Sequence, residues 1–227
     1  MNTSYLIYLL IMLIVPLIVD FNVKHTFKKY SKVGNFRRLT SEQVARQILD
    51  SNGLYNTKIE FKGGNLSDCY DPRNNTVYLS NSTYNQISVA AIGVAAHECG
   101  HACQHAENYT PIRIRTAIVP VTNICSRFWY LVFLAGVLFS NMTIGTNLIF
   151  ASIIMFAAVV VFQIVTLPAE LNASKRAMKA LESSGILESD ELPMARKVLN
   201  AAAMTYVAGL ALSILQLLRL VTMSRRR

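Results

Sequence analysis

Four apolar runs constrain this chain more than any other feature. They are YLIYLLIMLIVPLIV (residues 5–19), AIVPVTNICSRFWYLVFLAGVLF (117–139), TNLIFASIIMFAAVVVFQIVTL (146–167) and AAAMTYVAGLALSILQLL (201–218). A helix needs about 17–25 apolar residues to cross the hydrocarbon of a bilayer, where backbone polar groups must be satisfied internally. The second, third and fourth runs have that length. The first is short for a span. As a leader peptide it lacks a basic start and a small-residue cleavage site, and it runs straight into DFNVKHTFKKY, so it reads as an uncleaved anchor. The short, uncharged link SNMTIG (residues 140–145) makes the second and third runs a hairpin. Composition agrees. The 227 residues are 52% hydrophobic and 15% charged, with a net charge of +9, whereas an ordinary soluble domain carries about 25% charged residues. That balance fits a membrane protein with basic flanks and argues against a nucleic-acid partner, which needs Lys and Arg spread over a polar surface.

Basic residues near span ends set orientation. Lys24, Lys28, Lys29, Lys32, Arg37 and Arg38 follow the first run, Arg113 and Arg115 precede the second, and Lys175, Arg176 and Lys179 follow the third. All are expected in the cytoplasm. Arg225, Arg226 and Arg227 break the rule if the fourth run crosses, and the sequence leaves that crossing open. The expected organisation is an anchor (5–19), a cytoplasmic segment (20–116), a transmembrane hairpin (117–167), further cytoplasmic helices (168–200) and a C-terminal membrane helix (201–223).

Within the first cytoplasmic segment, LTSEQVARQILDSNGL (39–54) reads as a helix capped by Thr40 or Ser41 and stopped at Gly53. KIEF (58–61) and TVYLS (76–80) read as strands, joined by the turn-rich GGNLSDCYDPRNN. Residues 82–109 read as one long helix. Residues 168–200 read as a helix, a turn at Gly185 and a second helix. Cys69, Cys99, Cys103 and Cys125 form no CxxC pair, and Cys99 and Cys103 are expected to be small buried residues.

The long helix carries HECGHACQH, His97 to His105. Two histidines four apart lie about 40° apart around a helix axis and one turn along it, so His97 and His101 can reach one ion. Glu98, about 100° round from His97, can approach a water beside that ion. Two imidazoles, a third protein ligand and an open position describe a catalytic zinc site. His105 lies two turns beyond His97, and no glycine turns the chain between His101 and His105 as it does in HExxHxxGxxH. It is not expected as a ligand. The third ligand has to lie on the same side of the membrane. The first carboxylate after the hairpin is Glu170, in LPAELNASKRAMKAL (167–181), expected in the first turn of a new helix. Glu107 is the next candidate.

These residues carry a resemblance. HECGHACQH, the hairpin and PAELNAS look like the neutral zinc metallopeptidases of bacterial membranes, the YugP-like family, an integral membrane gluzincin group. SDCYDPRNNTVYLS and VLNAAAMTYVAGL resemble further blocks of that family. The resemblance implies His97, His101 and Glu170 as ligands of Zn2+ and Glu98 as the catalytic residue. Many gluzincins place Asp four residues after the ligand Glu to support a zinc histidine; that position here is Ser174, with Asn172 between, which leaves the orienting residue open.

The fold expected is mainly α: a polytopic membrane protein with about four transmembrane helices and a small zincin-like α+β peptidase domain. The function expected is a zinc-dependent endopeptidase of the cytoplasmic membrane, with its site on the cytoplasmic side. Its partners would be the lipid bilayer and peptide or protein substrates, membrane proteins among them. Zinc would lower the pKa of its bound water, with Glu98 as general base. His105, Tyr206 and Tyr70 are the candidate oxyanion or substrate contacts, and TVYLS is a candidate edge strand for an extended substrate. Two other readings stand beside this one. An intramembrane, site-2-type protease would bury HExxH within a span, but the apolar stretch before His97 is too short. A non-catalytic zinc-binding scaffold would not need Glu98.

Overall fold

The computed structural model describes residues 3–225, so Arg226 and Arg227 of the basic C-terminus lie outside the described residues. Its elements in chain order are α1 (Thr3–Tyr30), α2 (Ser41–Ser51), β1 (Lys58–Phe61), β2 (Cys69–Asp71), β3 (Thr76–Leu79), α3 (Val89–Ala106), α4 (Thr110–Leu138), α5 (Thr143–Ser183) and α6 (Leu192–Arg225). The protein is mainly α and polytopic. Helices α1, α4, α5 and α6 are each long and apolar enough to cross a bilayer.

The anchor is longer than its apolar run. No glycine interrupts DFNVKHTFKKY, so α1 continues to Tyr30, with Lys28 and Lys29 in its last turn complementing the helix dipole. Leu13, Leu17 and Ile18 are each about 60% exposed, a surface that suits lipid and not water. The third apolar run also continues. The helix does not restart at Pro168: α5 is one helix of 41 residues with Pro168 inside it. Glu170 therefore sits in mid-helix and not in a first turn, so no helix N-terminus accounts for its charge.

The chain divides into two units. One comprises residues 1–109 and 169–205, the other 110–168 and 206–227. The second unit holds α4 with the apolar parts of α5 and α6. Trp129 of α4 packs on Phe156 of α5 with ring centroids 4.6 Å apart, and Phe156 and Val160 share a cluster with Leu220 of α6. The tight turn between α4 and α5 depends on Gly136, where a Cβ would lie 2.8 Å from the Ile149 backbone nitrogen.

The first unit is built around α3. Its helix starts later than expected. Residues 81–85 form turns, Asn85 adopts a φ of 55°, and the Ser88 side chain caps the helix by accepting from the Ala91 N–H. Asn35, almost fully buried, fixes this start. Its amide donates to the carbonyls of Ile87 and Leu39, and its carbonyl accepts from the Leu39 N–H. Helix α2 begins with a capping box between Thr40 and Gln43. Val44, Ala45, Ile48 and Leu49 of α2 pack with Val77 and Leu79 of β3, Ile92, Ala95, Ala96 and Cys99 of α3, and Leu181 of α5. Cys99 and Cys103 are buried and all four cysteines are free thiols.

The sheet has the order β1-β3-β2, with β1 parallel and β2 antiparallel to β3. Strand β2 lies within the segment expected to be only turns. Asp68 organises the return by accepting from the Ser80 N–H and hydroxyl. Strand β3 is central, which corrects the expectation that it is an edge: both its sides are already paired, and β1 and β2 are the edge strands.

Candidate metal centre

His97, His101 and Glu170 come together. One ligand atom from each lies within 4.8 Å of the others. Glu170 Oε2 is 3.3 Å from His97 Nε2 and 3.4 Å from His101 Nε2. A charge-assisted N–H···O bond is shorter, about 2.7–2.9 Å. Bonds of about 2.0–2.2 Å from a tetrahedral zinc put neighbouring ligand atoms about 3.3–3.5 Å apart. Two of the three ligand edges thus already match the spacing set by one zinc ion, and the donor set of two imidazoles and a carboxylate fits that metal.

The local sequence explains why Glu170 reaches α3. Gly100, the second variable position of HECGH, faces α5. A Cβ there would lie 2.7 Å from the Ala173 carbonyl oxygen, so only glycine lets the two helices approach this closely. Ala169 and Ala173, both fully buried, keep the facing side of α5 equally thin. Glu170 itself is buried, as is His101.

Each histidine is held by its other nitrogen. Ser174 Oγ lies 3.1 Å from His97 Nδ1, and Gln104 Oε1 lies 3.0 Å from His101 Nδ1. With Nε2 turned to a metal, each Nδ1 carries the proton and donates to that oxygen. The position where Asp was awaited is thus filled by a Ser that touches a site histidine. Gln104 is in turn fixed by donating to the Ala169 carbonyl at 2.8 Å and to Asn172 Oδ1 at 2.9 Å. Asn172 Oδ1 also accepts from Arg176, which makes a two-pronged pair with Glu107 at 2.6 and 2.7 Å. Glu107 is therefore engaged elsewhere.

Glu98 does not join the three. Its Oε2 accepts from the Tyr70 N–H of β2 at 2.9 Å. Burial pushes its carboxyl above the usual range, and the neighbouring His97 and His101 oppose that shift. His105 lies outside the metal group, with its ring 5.4 Å from that of Tyr70. The Tyr70 hydroxyl donates to Asn75. Tyr206 lies on the part of α6 that belongs to the other unit.

Sequence reasoning missed Gln104 and the Tyr70 amide. Gln104 had a signal, being one turn after His101 on the same helix. The amide had none, because β2 is three residues long in a turn-rich segment.

Comparison with known proteins gives the family. Residues 5–225 match the family described as "Putative neutral zinc metallopeptidase". The chain belongs to this family. It is 46% identical over 202 residues to the "Putative membrane protease YugP" of Bacillus subtilis (strain 168), covering 89% of this chain and 88% of that protein. No solved structure matches the chain.

Proposed function

We propose that this chain is a membrane-anchored zinc endopeptidase in which His97, His101 and Glu170 hold the ion, Glu98 is the general base, and the site faces the cytoplasm. The observation that supports it most is the Glu170 carboxylate, brought from beyond an apolar hairpin to within 3.3 and 3.4 Å of the two histidines of one HExxH helix. Zinc, when bound, supplies Lewis acidity that makes water a nucleophile near neutral pH and polarises a carbonyl. Glu98 takes the proton of the attacking water and returns it to the leaving amine. The Tyr70 N–H holds one oxygen of Glu98, so the other is the one placed for that transfer. Ser174 and Gln104 keep the imidazoles in the tautomer that offers Nε2. Strand β2, the sheet edge whose amide meets Glu98, replaces β3 as the strand that can add an extended substrate. Of the donors considered for the oxyanion, Tyr70 and His105 share the unit that holds the metal group.

The cytoplasmic assignment rests on the basic residues flanking the apolar runs. The packing of α3 against α2, β3 and α5 favours a site in a folded domain over one inside a span. A scaffold that only binds zinc gives no role to a buried Glu98 beside both histidines.

The test is hydrolysis of casein or an unstructured peptide by the purified protein. Chelator should abolish cleavage and zinc should restore it, while Glu98→Gln should lower it by about 10²-fold or more with zinc retained. Cleavage by a zinc-loaded Glu98→Gln protein at the wild-type rate contradicts the assignment.

A further inference from the structure

Two adjoining cavities open on α1 beyond its apolar run. One, of about 400 Å3, lies between α1 and the start of α6; His25, Lys29 and Tyr30 line it from α1, and Lys197, Ala201 and Met204 from α6. The other, of about 500 Å3, is lined by His25, Lys28, Lys29 and Lys32. They share His25 and Lys29. The cleft is structurally fixed, because Phe27 and Tyr30 of α1 pack with Val198 of α6 in one buried cluster.

No carboxylate lines either cavity. The nearby acids are engaged elsewhere: Asp20 pairs with Lys24 at 2.7 Å, and Glu191 accepts from the backbone N–H groups of Phe36 and Glu188. Among the described residues, Lys28, Lys29, Lys32 and Lys197 make no ion pair.

The cleft lies at a particular depth. The apolar run of α1 ends at Val19 and that of α6 begins at Ala201. At 1.5 Å per residue, Lys197 lies about 6 Å before the second limit, and Lys29 lines the same cavity, with its neighbour Tyr30 packed beside Val198. The headgroup layer of one leaflet is roughly 5–7 Å deep, and a lysine stem reaches back toward it. Ala201 and Met204 continue the cleft toward the apolar segment, giving it a charged upper end and an apolar lower end.

We propose that this cleft between α1 and α6 is a binding site for an anionic phospholipid, with the phosphate held by Lys29 and Lys197 and the start of an acyl chain along Ala201 and Met204. Two lysines far apart in sequence converge on one hollow, which a diffuse attraction to a negative surface does not require. A free phosphate would satisfy the lysines but leave the apolar end unused.

The test uses the full chain in neutral detergent. Thermal melting is followed with added phosphatidylglycerol, phosphatidylcholine or inorganic phosphate, and retained lipid is counted by native mass spectrometry. Phosphatidylglycerol is expected to raise Tm of the wild type, and of Lys58→Gln/Lys62→Gln as a control of equal charge loss. Lys29→Gln/Lys197→Gln should lose at least half of that shift and its retained lipid, and Lys29→Arg/Lys197→Arg should keep both. An undiminished shift in the Gln pair, or its loss in the Arg pair, overturns the proposal. An equal shift from inorganic phosphate also overturns it, in favour of a soluble-anion site.

Discussion

Ser174 and Gln104 each touch one site histidine on the nitrogen that does not face Glu170. In the proposed centre they position the imidazoles, and loss of such a partner typically costs about 10–100-fold in metal affinity or activity. Ser174→Ala and Gln104→Ala are therefore expected to bind zinc about 10–100-fold more weakly in a chelator competition, with the fold unchanged by circular dichroism. His97→Ala and His101→Ala should lose most of the metal outright. His105→Ala should keep it, because its ring stands against Tyr70 and not at the ligand group. A His105→Ala protein as empty as His101→Ala contradicts this placement. The HExxH pair was legible because helical spacing alone puts two rings on one side. The amide that holds Glu98 was not, because a strand of three residues in a turn-rich segment carries too little periodicity to announce itself.

Helices α3 and α5 meet through their smallest residues, and the site depends on that closeness. A Cβ at Gly100 would lie 2.7 Å from the Ala173 carbonyl oxygen, whereas one at Gly93 would find nothing nearer than 3.6 Å. Gly100→Ala is thus expected to destabilise the protein by about 1–3 kcal/mol through overpacking and to reduce zinc content by moving Glu170 away. Gly93→Ala should be neutral or stabilising, by up to about 1 kcal/mol, because alanine favours the helix. Comparable melting of the two variants would show that the helices are not in contact at Gly100. Element positions were mostly readable: α2, β1 and β3 stand where turn and cap residues placed them. The errors lie where a strong breaker was overruled or a weak one went unread. Pro168 does not end α5, and Ser88 restarts the backbone after turns that look helical by composition.

Across the whole molecule, the proposed ligands come from two segments separated by an apolar hairpin. That arrangement makes a prediction about sidedness. A single cysteine at Asn141, in a background without the native four, should react with an impermeant reagent from outside the cell. One at Lys179 should react only after the membrane is opened. Labelling of both from one side without permeabilisation contradicts the spanning hairpin. The apolar runs made this architecture legible at once, because a bilayer leaves few alternatives to a helix of that length. The merging of the third run with the ligand-bearing helix into one α5 was not legible. It depends on packing against α3, which no local pattern records.

The proposed centre depends most on Glu170. The most direct measurement is the zinc stoichiometry of purified Glu170→Gln, set beside Glu182→Gln as a control on the same helix. The predicted result is close to one zinc per chain for wild type and for Glu182→Gln, and a large loss of both zinc and peptide hydrolysis for Glu170→Gln. Full zinc occupancy and full activity in Glu170→Gln would contradict the proposed centre.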